Sequence, residues 1–189
     1  MNKAKIKRLI FTLGDLEDAS FALQMLIDAT YGKEEISYRD RRVARCFETA
    51  FLASFGRAFR IEKSQKSPLY DVGDLGLSID DSARELRTLL LGLRDKVFAH
   101  SDTDYTNVAL YIREDVANGV NIVYPEYFRG VYLSDEQQAL SMRLLSTYKN
   151  GLLNKLLSLS KEHIGLFREI QAEILNTKDL FQLLNCNEN

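Results

Sequence analysis

Apolar side chains recur every three or four positions along most of this 189-residue chain. That period admits little besides helices packed on helices. Leucine occurs 29 times and proline only 2, so helix formers abound and breakers are scarce. Leu16, Ala19, Leu23, Leu26 and Ile27 form one stripe, which Tyr31-Gly32-Lys33 ends. Residues 5–13 read either as an earlier turn of that helix or as a short strand. A second helix is predicted from Tyr38 to Glu62, with its stripe on Val43, Phe47, Phe51, Phe55 and Phe59. The segment Ser64–Ile79, with Pro68, Gly73 and Gly76, reads as a loop. Asp80 or Asp81 caps a third helix that carries Leu86, Leu89, Leu90 and Leu93 to Ala99. Within it, Gly92 suggests close approach by a neighbouring backbone.

The period then changes. Asn107–Ile112 and Val120–Tyr124 are rich in β-formers, flank the turn dipeptide Asn118-Gly119, and stop at Pro125. They predict a small hairpin inserted at about 106–125, which must lean on helices to be stable. Ser134-Asp-Glu-Gln137 is a capping box for a fourth helix. Leu140, Leu144, Tyr148, Leu152 and Leu156 follow, and Asn150-Gly151 is a candidate kink. A fifth stretch with Ile164, Phe167, Ile170 and Ile174 is either separate or continuous with the fourth. The expected fold is mainly α: a single helical domain of four or five helices over 1–189, with a polar tail from about 185.

Charge and composition remove several functions. There are 25 basic and 27 acidic residues, a net charge of −2, which excludes a strongly cationic nucleic-acid coat. The two cysteines, Cys46 and Cys186, are far apart and in no C-x-x-C pair, which argues against a disulfide scaffold or zinc ribbon and suits a reducing cytoplasm. Cys46 lies on an aromatic helix and reads as a core residue. The apolar run Leu9–Leu13 is too short for a signal segment, and Leu86–Ala99 is broken by Arg87, Arg94, Asp95 and Lys96, so no membrane span is expected. Gly-rich phosphate loops, nucleophile elbows and closely spaced histidine ligands are all missing, so neither a metal nor a cofactor is expected.

The chemistry concentrates in Leu93-Arg94-Asp95-Lys96-Val97-Phe98-Ala99-His100-Ser101. Arginine holds phosphate through a planar fork of donors, and histidine exchanges protons near neutrality. Together they supply what metal-free phosphodiester cleavage needs: charge stabilisation at phosphorus and proton transfer at the 2′-hydroxyl or leaving oxygen. Arg39, Arg41, Arg42 and Arg45 cluster at the start of the second helix, either as a solvated face or as contacts to RNA phosphates. Arg57 and Arg60 lie near its other end. Asp71, Asp74, Asp80 and Asp81 read as caps and soluble loop. Tyr105, Tyr111, Tyr124, Tyr127, Phe128 and Tyr132 serve packing or base stacking. His163 reads as a solvated helix position.

The Arg94–His100 segment resembles the R-x(4–6)-H motif of the HEPN superfamily, most closely the branch linked to abortive infection and toxin–antitoxin systems, whose motif often reads R-(N/D)-x-x-x-A-H-S. Arg94, Asp95, Ala99, His100 and Ser101 match it. The resemblance implies a HEPN-like bundle and a metal-independent endoribonuclease acting as a homodimer, with an antitoxin or other protein as a further partner. By it, Arg94 binds phosphate, His100 transfers protons and Asp95 orients one of them. Arg41, Arg42, Arg45, Lys96 and Ser101 are the RNA-binding candidates. The other reading is a non-catalytic helical module that binds RNA, a nucleotide or a protein. On an ideal helix six residues turn through about 600°, so Arg94 and His100 point about 120° apart. They converge where the helix ends or where a second chain contributes. Otherwise His100 caps the helix and Arg94 pairs with Asp95 or Glu85.

Overall fold

A computed structural model of the chain describes residues 2–32, 37–59, 75, 77–99, 107–115, 120–128 and 133–185; side chains are described for these except 38, 96–99, 107–128 and 176–185. Five helices make up most of it: α1 (Lys3–Thr30), α2 (Tyr38–Phe59), α3 (Asp81–Ala99), α4 (Asp135–Glu162) and α5 (Ile164–Asn185). Between α3 and α4 lie strands β1 (Asn107–Asp115) and β2 (Val120–Phe128).

Helix α1 runs unbroken from Lys3, so residues 5–13 are helix, not strand. Ile6 and Leu9 continue the stripe of Leu16, Ala19, Leu23 and Leu26, and all six are fully buried. Asn2 caps the first turn by accepting from the Lys5 N–H at 3.0 Å. Buried Thr12 fits the same stripe because its hydroxyl donates to the Arg8 carbonyl at 2.9 Å.

Helix α1 packs on α2, whose buried face is Ala44, Glu48, Phe51, Leu52 and Phe55. This stripe starts one position later than expected: Val43 is 39% exposed and Ala44 is buried. Spacings of four, three and four residues from Ala44 through Glu48 and Phe51 to Phe55 keep one face in phase. Phe51, Phe55, Phe59 and Tyr148 of α4 form an aromatic ladder with successive centroid separations of 5.8, 4.7 and 4.6 Å. Truncating a ring as buried as Phe51 or Phe55 to alanine costs on the order of 3–5 kcal/mol.

Asp80 caps α3 by accepting from the Ala83 N–H at 2.8 Å. The capping box of α4 is complete, with Ser134 and Gln137 each accepting from the other's backbone. Gly151 does not interrupt α4, which is continuous past it. Its missing side chain leaves room for Leu77, whose Cδ1 would lie 2.7 Å from an added Cβ. Helices α4 and α5 are separate: His163, with φ −133° and ψ 42°, ends one and starts the next, and is half-buried rather than on a solvated helix face.

Strands β1 and β2 pair antiparallel from Asn107↔Phe128 to Asp115↔Val120. Pro125 does not close β2, which continues three residues to Phe128. In a two-stranded sheet each strand keeps an open edge, where a proline sacrifices no ladder hydrogen bond. The dipeptide Asn118-Gly119, the expected end of the second helix at 60–62, most of the expected loop Ser64–Ile79 (64–74 and 76) and the tail at 186–189 lie outside the described residues.

Helix α5 rests on α1 and α4, and Ile170 is its one fully buried side chain among those described. Above it Glu173 accepts from both Lys3 and Lys7, and Lys3 also reaches Glu169 at 3.4 Å. The hydrogen bond from Lys3, then that from Lys7, holds the Glu173 carboxyl below its ordinary 4.5. The bond to Glu173 holds the Lys3 ammonium above its ordinary 10.5. A depressed carboxyl stabilises docking above its unfolded value and loses that effect as pH falls through the folded one. A raised ammonium stabilises below its unfolded value and loses the effect as pH rises through the folded one. The latch therefore works fully between 4.5 and 10.5. The Ile170 methyl NMR signals should report an acid transition with its midpoint below 4.5, and Glu173→Gln should abolish it. An unchanged acid limb in that variant would contradict the latch.

Candidate functional site

Arg94 lies near the C-terminal end of α3, on a helix that stops at Ala99. Its stem crosses α2 at Gly56, a buried glycine in the aromatic stripe. A Cβ at position 56 would lie 2.7 Å from the Arg94 Cγ, 2.9 Å from Cδ and 3.0 Å from Nε. Real Cβ atoms essentially never approach another atom that closely, so with any other residue at 56 the Arg94 stem must shift. Further out, Arg94 Nη1 donates to Asp95 Oδ1 at 2.6 Å, with the two side chains 26% and 68% exposed. The carboxylate that pairs with Arg94 is Asp95 rather than Glu85. The guanidinium is thus held at its stem by α2 and at one nitrogen by Asp95, while the pair stays open to solvent.

About two turns earlier on α3, the Arg87 guanidinium sits 5.1 Å from the centre of the Phe59 ring. Arg87 meets position 59 and Arg94 meets position 56, so α3 runs back along α2. Its C-terminal end heads towards the end of α2 that bears Arg41, Arg42 and Arg45. At 100° per residue, these three lie within about 60° of Gly56 around the α2 axis, and Arg45 within about 20°. Arg41 and Arg42 are exposed and Arg45 is half-buried. They share a side of α2 with Arg94, whereas Arg39 falls about 100° away.

The remaining candidates divide. His100 and Ser101 lie outside the described residues, as does Arg60. Lys96 is placed in α3 by its backbone alone. Arg57 is committed to α1: its Nε donates to Asp15 at 2.8 Å and its Nη2 to Ser54 at 3.0 Å, with Asp18 at 3.7 Å. That makes it a clamp between helices. Asp80 caps α3 and Asp81 pairs with Arg84 at 3.2 Å, while Asp71 and Asp74 lie outside the described residues. Tyr111 pairs in register with Tyr124; Tyr105 and Tyr132 lie outside the described residues. Among the described residues nothing comes within 4 Å of a Cβ added at Gly92, so the expected close neighbour is not found among them. Beside it Leu89 is 40% exposed, while Leu90 and Leu93 are buried.

Two further residues, Gly56 and Glu48, shape the site and carry little signal in the sequence. Gly56 was hidden because a glycine inside a strong helical stripe has no signature of its own. Glu48 is 2% exposed and accepts from the Leu133 N–H at 3.1 Å, and Gln138 donates to the Leu133 carbonyl at 3.1 Å. This node fixes the chain's return into α4 on α2. Its signal was an acidic residue in phase with Ala44 and Phe51.

Cys46 is a correction. It is exposed, because it stands about 200° around α2 from buried Glu48. Among the described residues no three His, Cys, Asp or Glu side chains converge as metal ligands, and no helix is long and apolar enough to cross a membrane. In a search for relatives, no family model, curated protein or solved structure matches the chain. In a Cys186→Ser variant, Cys46 should react with a thiol reagent under native conditions as readily as after unfolding. Strong native protection would contradict its placement.

Proposed function

We propose that the chain is a HEPN-like, metal-independent endoribonuclease of the toxin or defence type, with the strand pair a hairpin inserted in a HEPN-like bundle. The observation that carries this reading is Arg94, fixed in place on α2 by Gly56 and Asp95 on the side that also bears Arg41, Arg42 and Arg45. A planar donor fork in a fixed pose suits a phosphoryl group, and arginines further along the same side of α2 suit phosphates elsewhere on the RNA strand.

In this reading a base takes the proton of the RNA 2′-hydroxyl, and the oxygen attacks phosphorus. The bond from phosphorus to the 5′-oxygen breaks, and that oxygen is protonated as it leaves. One product ends in a 2′,3′-cyclic phosphate and the other begins with a 5′-hydroxyl. His100 serves the proton transfers, Arg94 stabilises the charge on the phosphoryl oxygens, and Asp95 orients Arg94. Lys96 and Ser101 extend the RNA contact. The chain works as a cytoplasmic homodimer with α3 near the two-fold axis, where Leu89 and Gly92 lie on its exposed face. A second arginine and histidine then enter the same cleft. An antitoxin or other protein is the partner that restrains it.

The second reading, a non-catalytic module that binds RNA, a nucleotide or a protein, is favoured by the Arg94–Asp95 bond, which already occupies one guanidinium nitrogen. Incubating purified protein with total RNA in EDTA separates the two. Cleavage is expected to persist in EDTA and to fall by roughly 10²–10⁴ in His100→Ala, the usual worth of a general acid or base. Cleavage that stops in EDTA and returns with magnesium refutes the metal-free mechanism. RNA retention without cleavage supports the module.

A further inference from the structure

Glycine is unfavourable inside a helix, because it loses more backbone freedom on folding than other residues and packs nothing. Gly56 lies in the interior of α2. What it supplies is space, and one side chain takes it. The three nearest atoms to a Cβ built there all belong to Arg94, at 2.7, 2.9 and 3.0 Å. By contrast, Gly14 and Gly92 have no described atom within 4 Å, and Gly151 receives Leu77, a half-buried leucine packed against the core. Among the described glycines only Gly56 receives a charged side chain.

We propose that Gly56 is a positioning residue that sets the pose of the Arg94 guanidinium, and so the place where the reacting phosphate is held; this rests on the endoribonuclease reading above. The guanidinium has two anchors of different kinds. Asp95 is 68% exposed and holds one nitrogen by a bond that water and phosphate both compete for. The seat at Gly56 is steric and insensitive to salt. Any side chain at position 56 evicts the stem while Asp95 still holds the tip, so the plane of the donor fork turns. Donors aimed at developing charge lose most of their effect when displaced by an ångström or so. Ground-state attraction to Arg41, Arg42 and Arg45 is untouched. Position 56 therefore governs kcat and leaves KM alone.

The test uses the full chain as wild type, Gly56→Ala, Arg94→Ala, Arg94→Lys and the double variant Gly56→Ala/Arg94→Ala. Three quantities are read: cleavage of a mixed-sequence ribo-oligonucleotide in EDTA, the Arg94 Nε–Hε NMR signal (identified by its loss in Arg94→Lys), and the melting temperature. Gly56→Ala should move the Arg94 signal and lower kcat by about a hundredfold, the scale of a small misplacement, with KM unchanged. The double variant should be no worse than Arg94→Ala alone, and should recover any stability that Gly56→Ala loses. An unmoved Arg94 signal, or full activity in Gly56→Ala where Arg94→Ala has none, overturns the proposal. So does a stability loss that persists after Arg94 is removed. Full activity in Arg94→Ala sinks the endoribonuclease reading itself, and the role of Gly56 in it.

Discussion

The seam between α1 and α2 is the contact on which the other elements depend. Leu9, Leu16, Leu23 and Leu26 meet an α2 face built from Phe51, Leu52 and Phe55, all without solvent exposure. Long helices gain most of their stability from such a buried face rather than from propensity. Arg57 then ties the same two helices through Asp15, and Arg8 donates to the Arg57 carbonyl at 3.2 Å near the end of α2. With α2 fixed, it becomes a template for the rest. The aromatic ladder extends to Tyr148 of α4, Glu48 receives Leu133, and Gly56 receives Arg94.

The candidate site is a by-product of that template. Helix α3 has no choice of height along α2 once Arg87 stacks on Phe59 and Arg94 enters the gap at Gly56. Running antiparallel, it carries the segment that ends in Ala99 towards the arginine-rich first turns of α2.

Much of the fold was legible because a buried helical stripe writes its period into the sequence. The bounds of α3 and the capping box of α4 follow from Asp80, the leucine spacing and Ser134–Gln137. Errors arose where period alone decides little. Residues 5–13 were ambiguous because Ile6 and Leu9 belong to the same stripe as Leu16, but the shorter window hides it. Val43 and Ala44 are neighbours, and only packing tells which faces inward. Cys46 followed the habits of its residue type, while its angle around α2 points outward. Within the site, the arginine and its acidic neighbour could be read from spacing. The seat could not, because it depends on how α2 and α3 cross, and no local pattern encodes a crossing.

In the proposed function one chemical step is central: a phosphate held by Arg94 is attacked by the neighbouring 2′-hydroxyl. The ends left on the RNA record that step directly. Mass spectrometry of a cleaved oligonucleotide should find 2′,3′-cyclic phosphate and 5′-hydroxyl termini, both absent when Arg94→Ala replaces the wild-type protein. Products carrying 3′-hydroxyl and 5′-phosphate ends, which attack by water with the opposite leaving group would give, would contradict it.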